Sequence, residues 1–243
     1  ELTRRWREEQ LPFALTGDQR AALEVIDADL ARPEPMQRLL MGEVGSGKTV
    51  VALHTMLRAV EHGHQAALMA PTETLAEQHF QTVQRLLGSE SVSAGLLTGS
   101  TPAKRRGDLL GKLASGELSL IVGTHALIED AVRFDRLAVV VIDEQHRFGV
   151  SQRLLLTQKG KLAPHTLTMT ATPIPRTLVL AEHGEMDVSQ LDEMPPGRQP
   201  IDTRVIAIER ISEVADGLAR HLDGGQQAYW VCPMVRELES EDI

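Results

Sequence analysis

The sequence predicts an α/β fold of three layers, αβα, with a mainly parallel sheet between two coats of helix. Three observations predict it. Short, almost continuously apolar runs alternate with helical stretches across residues 38–170, and such runs belong to strands buried on both faces, the condition of a parallel sheet. Each run ends in a small polar cluster, and in open parallel sheets ligands sit beyond the carboxyl ends of the strands. The first run opens into Gly42-Glu43-Val44-Gly45-Ser46-Gly47-Lys48-Thr49, which fits G-x-x-x-x-G-K-[ST], the phosphate-cradling loop, between a strand and a helix.

The elements follow in order. Residues 1–10 hold Arg4, Arg5, Arg7, Glu8 and Glu9 with only Leu2 and Trp6 apolar, which predicts a solvated linker helix from an upstream domain. Leu11 to Thr16 leads into a helix capped by Thr16 or Asp18, with Ala21, Ala22, Val25, Ile26 and Leu30 on its apolar face. Arg32-Pro33-Glu34-Pro35 ends it. Arg38–Met41 reads as a buried strand and Val50–Leu57 as the helix after the loop. Ala66–Ala70 is a strand ended by Pro71-Thr72, and a helix runs from Glu73 to about Leu87. Val92–Leu97 is a strand ended by Thr98-Gly99-Ser100, and a helix spans Pro102–Leu113, Pro102 being tolerated in a first turn. Leu118–Val122, Leu137–Ile142 and Thr166–Met169 are strands ended by Gly123-Thr124-His125, Asp143-Glu144 and Thr170-Ala171-Thr172. A boundary falls near Met194–Arg198. Residues 11–194 then form one lobe, and 195–243 form a linker and the opening of a second unit, with strands at 203–208 and 227–231 around a helix marked by Ile211, Val214, Leu218 and Leu222.

Length and composition bound the rest. At 243 residues the chain holds one large domain or one and a half. Aromatics make up only 3%, so the core must be aliphatic. The single cysteine, Cys232, excludes an internal disulfide framework and fits a reducing cytoplasm. No apolar run approaches the ~20 residues that span a bilayer, so no membrane partner is expected. The net charge of −9 argues against a generic basic coat for nucleic acid and leaves local basic patches possible, because phosphate contacts act locally under salt screening. The missing initiator Met predicts a fragment, truncated at both ends.

Chemistry gathers at the strand ends. Gly42, Gly45 and Gly47 let backbone N–H groups turn toward one anion, and the helix start adds partial positive charge. Lys48 is placed to reach the β/γ-phosphates and Thr49 to hold Mg²⁺ through its hydroxyl. A chance glycine turn is the alternative, and the flanking strand and helix argue against it. Asp143 ends the most apolar strand and suits a Mg²⁺ carboxylate. Glu144 suits the group that orients and deprotonates an attacking water. Such a pair also caps helices; beside a phosphate loop, catalysis is the stronger reading. His146 reads equally as a neutral packed residue or as a partner of the Thr170-Ala171-Thr172 turn. The scattered histidines and lone cysteine argue against a zinc cluster.

These motifs, together with Pro71-Thr72-Glu73, Thr98-Gly99, Gly123-Thr124-His125, Asp143-Glu144-Gln145-His146 and Thr170-Ala171-Thr172, are similar to the ordered motifs of superfamily 2 helicases. More narrowly, the chain resembles the RecG family of bacterial branched-DNA helicases. The resemblance rests on Leu11–Thr16, Met41–Thr49, Ala70–His79, Asp143–Val150, Thr170–Thr177, Asp192–Arg198 and Tyr229–Pro233, and so covers nearly the whole chain. It implies a RecA-like P-loop NTPase lobe followed by the start of a second RecA-like lobe, with ATP and Mg²⁺ as cofactors. Nucleotide contact falls to Glu43, Val44, Ser46 and the rest of the loop. Phe13 is implied to stack on adenine and Gln19 to bond its edge, with Leu15 beside them; from the residues alone Phe13 reads as a staple on the following helix. Thr72, Thr98, Gly99, Thr124 and His125 are implied to touch the DNA backbone, against ordinary turn and cap chemistry. Lys104-Arg105-Arg106 either extends that track or forms a solvated helix end. His146 joins Lys48, Asp143 and Glu144 as catalytic.

The implied partners are branched DNA, an upstream wedge domain and a second motor lobe carrying arginine fingers, in a monomer of the bacterial cytoplasm associated with the nucleoid. Glu43 stands where the family often has Asp. Transcription-repair coupling factors look similar at His146–Val150 and at Thr170–Thr177, while Gln145 and Asp192–Arg198 favour RecG. A nucleotide-binding module without translocation is the remaining alternative; a mere binder needs no water-activating Glu144.

Overall fold

The computed structural model describes residues 1–144, 155–171, 186–195 and 202–232. It divides into two compact units, Glu1–Arg198 and Gln199–Ile243.

The first unit is built on seven parallel strands: β1 (Gln37–Gly42), β2 (Gln65–Met69), β3 (Ala94–Leu97), β4 (Leu120–Gly123), β5 (Leu137–Asp143), β6 (His165–Thr170) and β7 (Asp187–Leu191), in the order β3-β4-β2-β5-β6-β1-β7. The helices are α1 (Leu2–Arg5, continued by a wider turn over Trp6–Gln10), α2 (Gly17–Leu30), α3 (Lys48–Glu61), α4 (Glu73–Leu87) and α5 (Ala103–Ser115), with a 3₁₀ turn at His125–Ile128.

Period-two alternation explains the three layers. Val139 and Val141 of β5 enter one core with Leu40, Leu68 and Leu167 and with residues of α2, α3 and α4. Val140 and Ile142 enter a second core with Leu109 and Leu113 of α5 and Leu127 of the 3₁₀ turn. A strand apolar on both faces is covered on both faces.

The start of the chain corrects its expected solvation. Trp6 is fully buried in the main core. Its indole N–H donates to the Leu86 carbonyl at 2.7 Å, one of the carbonyls that the last turn of α4 leaves without a helical partner. Thr3 donates to Glu61, and Arg5 pairs with Glu90. An indole removes roughly 200 Å² from water, on the order of 5 kcal/mol of gross hydrophobic gain. Arg4, Arg5, Arg7, Glu8 and Glu9 stay exposed, so the segment keeps its charged face in water while Trp6 anchors the other face.

Three smaller expectations also shift. Pro102 sits just ahead of α5 as its N-cap. The strands read from Val92 and Leu118 begin at Ala94 and Leu120, where pairing with neighbours starts. In the second unit, α6 (Ile211–Asp223) forms behind a 3₁₀ turn at Ile208–Arg210. The described parts of the expected strands at 203–208 and 227–231 are not strands: high β propensity makes no strand without a neighbour to complete its ladder.

Candidate active site

The phosphate loop is held open by its glycines. Gly45 and Gly47 sit at φ +88° and +87°, where a side chain is strained. At Gly42 the need is for space, since a Cβ would lie 2.5 Å from Ser46 Oγ and 3.1 Å from the Leu191 carbonyl of β7. Gly47 is the N-cap of α3, so the partial positive charge of a fourteen-residue helix opens onto the loop. Lys48 Nζ arches back and donates to the carbonyls of Gly42 (2.6 Å) and Glu43 (3.0 Å). Partial burial pushes its pKa down, and the nearby charges of Asp143 and Glu144 push it back in part. Ser46 Oγ is buried and makes no hydrogen bond among the described residues. Glu43 and Val44 are exposed at the lip.

A cavity of about 590 Å³ separates this loop from the acidic pair. Its walls include Lys48 and Thr49 on one side, Asp143 and Glu144 on another, and Leu75, Gln78, His79 and Thr82 of α4 on a third. Asp143 closes β5, buried, with Oδ2 2.6 Å from His79 Nε2. Glu144 has φ +50°, the one non-glycine residue in that region among those described; such backbone costs on the order of 1–3 kcal/mol and gathers at functional sites. Its amide donates to the Met169 carbonyl at 3.0 Å, and its Oε1 accepts from Ala171 N–H at 3.4 Å. The acidic pair and the end of β6 are thereby tied together. A separate cavity of 420 Å³, near His62, His64 and His165, lies at the amino edge of the sheet and carries none of this chemistry.

Ahead of β1, Thr16 and Gln19 form a reciprocal capping box. Gln19 is 1% exposed. Its Oε1 accepts from Thr16 N–H and its Nε2 donates to the Ser46 carbonyl at 2.8 Å, fastening α2 to the phosphate loop. Leu15 packs on the main core, and Phe13 is exposed at 44%. The other capping candidate, Asp18, instead accepts the amides of Asp192 and Glu193, both at 2.8 Å.

The remaining candidates lie side by side at the carboxyl ends of β2, β4 and β3. Ala70 N–H donates to the Gly123 carbonyl, and Thr124 N–H to the Leu97 carbonyl. Thr72 caps α4. Glu73 beside it accepts the Ser100 amide (3.0 Å) and hydroxyl (2.8 Å), bonds that hold its carboxyl below the usual range. Thr98 is buried and bonded to Thr101, while Gly99 and His125 are exposed. Thr124 is buried, with a hydroxyl that makes no hydrogen bond among the described residues. Arg106 pairs with Glu129, and Lys104 and Arg105 face solvent. Gln145, His146 and Thr172–Thr177 lie outside the described residues.

Sequence reasoning gave His79 no role. The available signal was spacing: residues 75, 78, 79 and 82 share one helix face, downstream of a cap at a strand's carboxyl end.

The sequence profile of the DEAD/DEAH box helicase family matches residues 16–180. Two curated relatives, each named ATP-dependent DNA helicase RecG, come from Synechocystis sp. and Bacillus subtilis. They are 52% and 49% identical over 233 residues, covering 96% of this chain in both cases and 28% and 34% of the relative. The chain thus spans about a third of the length of the curated relatives it matches. A solved structure of RecG bound to a three-way DNA junction aligns with TM-score 0.80 at 40% identity, over 93% of this chain and 30% of that one. The DEAD-box helicase Mss116 bound to ssRNA and AMP-PNP aligns with TM-score 0.67 at 17% identity, over 93% of this chain and 50% of that one, a likeness of fold alone.

Proposed function

The chain belongs to the DEAD/DEAH box helicase family, and on that premise we propose that it is the first motor lobe of an ATP-driven DNA translocase of the RecG type. The DNA it works on is branched, as at replication forks and Holliday junctions in recombination and repair. The observation that carries this reading is the single cavity with the phosphate loop on one wall and Asp143-Glu144 on another. A RecG relative has been solved on a three-way junction, which supports branched DNA as the substrate class.

The donor set fits Mg²⁺. No cluster of three or more acidic, His or Cys groups that would cage a metal occurs among the described residues, and Mg²⁺ is commonly held by one or two carboxylates plus substrate phosphates. Thr49 and Asp143 would hold it, and it would neutralise charge developing on the phosphates. Lys48, released from its own loop's carbonyls, binds the β/γ-phosphates. Glu144 takes the proton of the attacking water. Phe13, Leu15 and Gln19 flank the adenine end. Thr72, Thr98, Gly99, Thr124 and His125 lie along the DNA backbone. An arginine from a second lobe supplies transition-state charge, worth about 10³-fold or more in related phosphoryl transfers. A monomer in the bacterial cytoplasm, associated with the nucleoid, completes the reading.

The test is Glu144→Gln in the full-length protein. ATP binding should hold while single-turnover hydrolysis falls by roughly a hundredfold or more, the scale of a lost general base. Collapsed binding with fast residual chemistry would make Glu144 a structural cap.

A further inference from the structure

We propose that His79 is a positioning residue for the Asp143 carboxylate, holding it in the orientation that receives the divalent cation. The proposal rests on the reading of Asp143 as the metal carboxylate. Asp143 Oδ2 lies 2.6 Å from His79 Nε2, and the two side chains are only 10% and 13% exposed. An ionised carboxylate has no proton to give, so the imidazole is the donor. Among the described residues, His79 is the hydrogen-bond partner of this carboxylate.

The backbone of Asp143 is fixed by its place opposite Met169 in the β5–β6 ladder. The side chain still turns about its own bonds, and the imidazole removes that freedom. The helix that carries the ring is itself well fixed. Ala76 and Val83, three residues before and four after His79, are fully buried on the same face of α4, and Thr72 caps the helix start. Carboxylates and imidazoles in the layer behind a metal's ligands orient those ligands, and losing such a partner typically costs about 10- to 100-fold in metal affinity or activity.

The experiment uses the full-length protein with Mn²⁺ as the probe, titrated by electron paramagnetic resonance in the presence of AMP-PNP. His79→Ala should weaken Mn²⁺ binding by about 10- to 100-fold. His79→Gln, whose amide nitrogen extends about as far as Nε2, should recover most of that loss. Thermal midpoints of both variants are measured alongside. Unchanged Mn²⁺ affinity in His79→Ala overturns the proposal. So does an equal loss in Ala and Gln variants with matching falls in melting temperature, which would make the ring a packing element. Asp143→Asn separates the two layers of the argument. If it abolishes Mn²⁺ binding while His79→Ala leaves it intact, only the role of His79 fails; if it leaves Mn²⁺ binding intact, the metal assignment fails and takes the proposal with it.

Discussion

One methyl group at Gly47 tests whether the phosphate loop and the helix ahead of β1 act as a unit. A Cβ built there lies 2.2 Å from Gln19 Nε2, and the backbone sits at φ +87°. Gln19 is 1% exposed and bonded at both ends of its amide, so it yields only by giving up those bonds. The left-handed backbone costs about 1–2 kcal/mol for a residue with a side chain. Two lost hydrogen bonds add about 0.5–1.5 kcal/mol each. Gly47→Ala should therefore destabilise the fold by roughly 2–5 kcal/mol. Urea unfolding of wild type, Gly47→Ala, Gln19→Ala and the double variant separates the contributions. Gln19→Ala alone loses both bonds, about 1–3 kcal/mol. In its absence the methyl has nothing to displace, so the two changes should couple by a similar amount. Additivity within about 0.5 kcal/mol would refute the reasoning, showing that the methyl is accommodated without moving Gln19.

Two further outcomes are expected. Lys48→Ala in the full-length protein removes the cation at the phosphate loop and should weaken ATP binding by about 10- to 150-fold, the equivalent of a charge-assisted bond of about 1.5–3 kcal/mol; wild-type affinity and turnover for a fluorescent ATP analogue would sink the loop assignment. His165 accepts the Met36 N–H through Nδ1 at 3.0 Å, and burial holds its pKa below the ordinary 6.5, offset in part by Asp29. With the folded value below the unfolded one, the neutral ring's contribution is full above pH 6.5 and is lost as pH falls toward the folded value. Urea midpoints should therefore decline below that pH, and His165→Asn, which keeps an acceptor, should flatten the decline; identical profiles would refute the assignment.

Most of the sheet was legible because apolar runs such as Val139–Ile142 exclude solvent-facing alternation, and the phosphate loop because its glycines have few other uses; β7 was missed, because Asp187, Ser189 and Gln190 leave it no apolar run. Strand order was not legible. Apolar runs are interchangeable as neighbours, and nothing local to β1 says that β6 and β7 flank it. Trp6 stood among charges and read as exposed, because the surface that buries it is assembled from residues about 80 positions away, such as Leu86. The stretches 203–208 and 227–231 carry strand propensity without a ladder partner. His79 escaped notice because spacing along α4 shows only which face it shares, while the carboxylate that face meets lies 64 residues away.

The place of β1 in the sheet sets a schedule for the growing chain. Gly42, where the phosphate loop begins, lies opposite Leu191, and Met41 lies opposite Thr170. At about 5–20 residues per second, the 149 positions from Gly42 to Leu191 take roughly 7 to 30 s to synthesise. Until β6 is made, β2, β3, β4 and β5 can pair with one another while the strand that carries the phosphate loop has a neighbour on neither side, and its second edge stays bare until β7. The nucleotide cradle, written early in the lobe, is therefore among the last parts of the lobe to be fixed. A ribosome that stalls before residue 165 leaves an apolar strand with both edges bare.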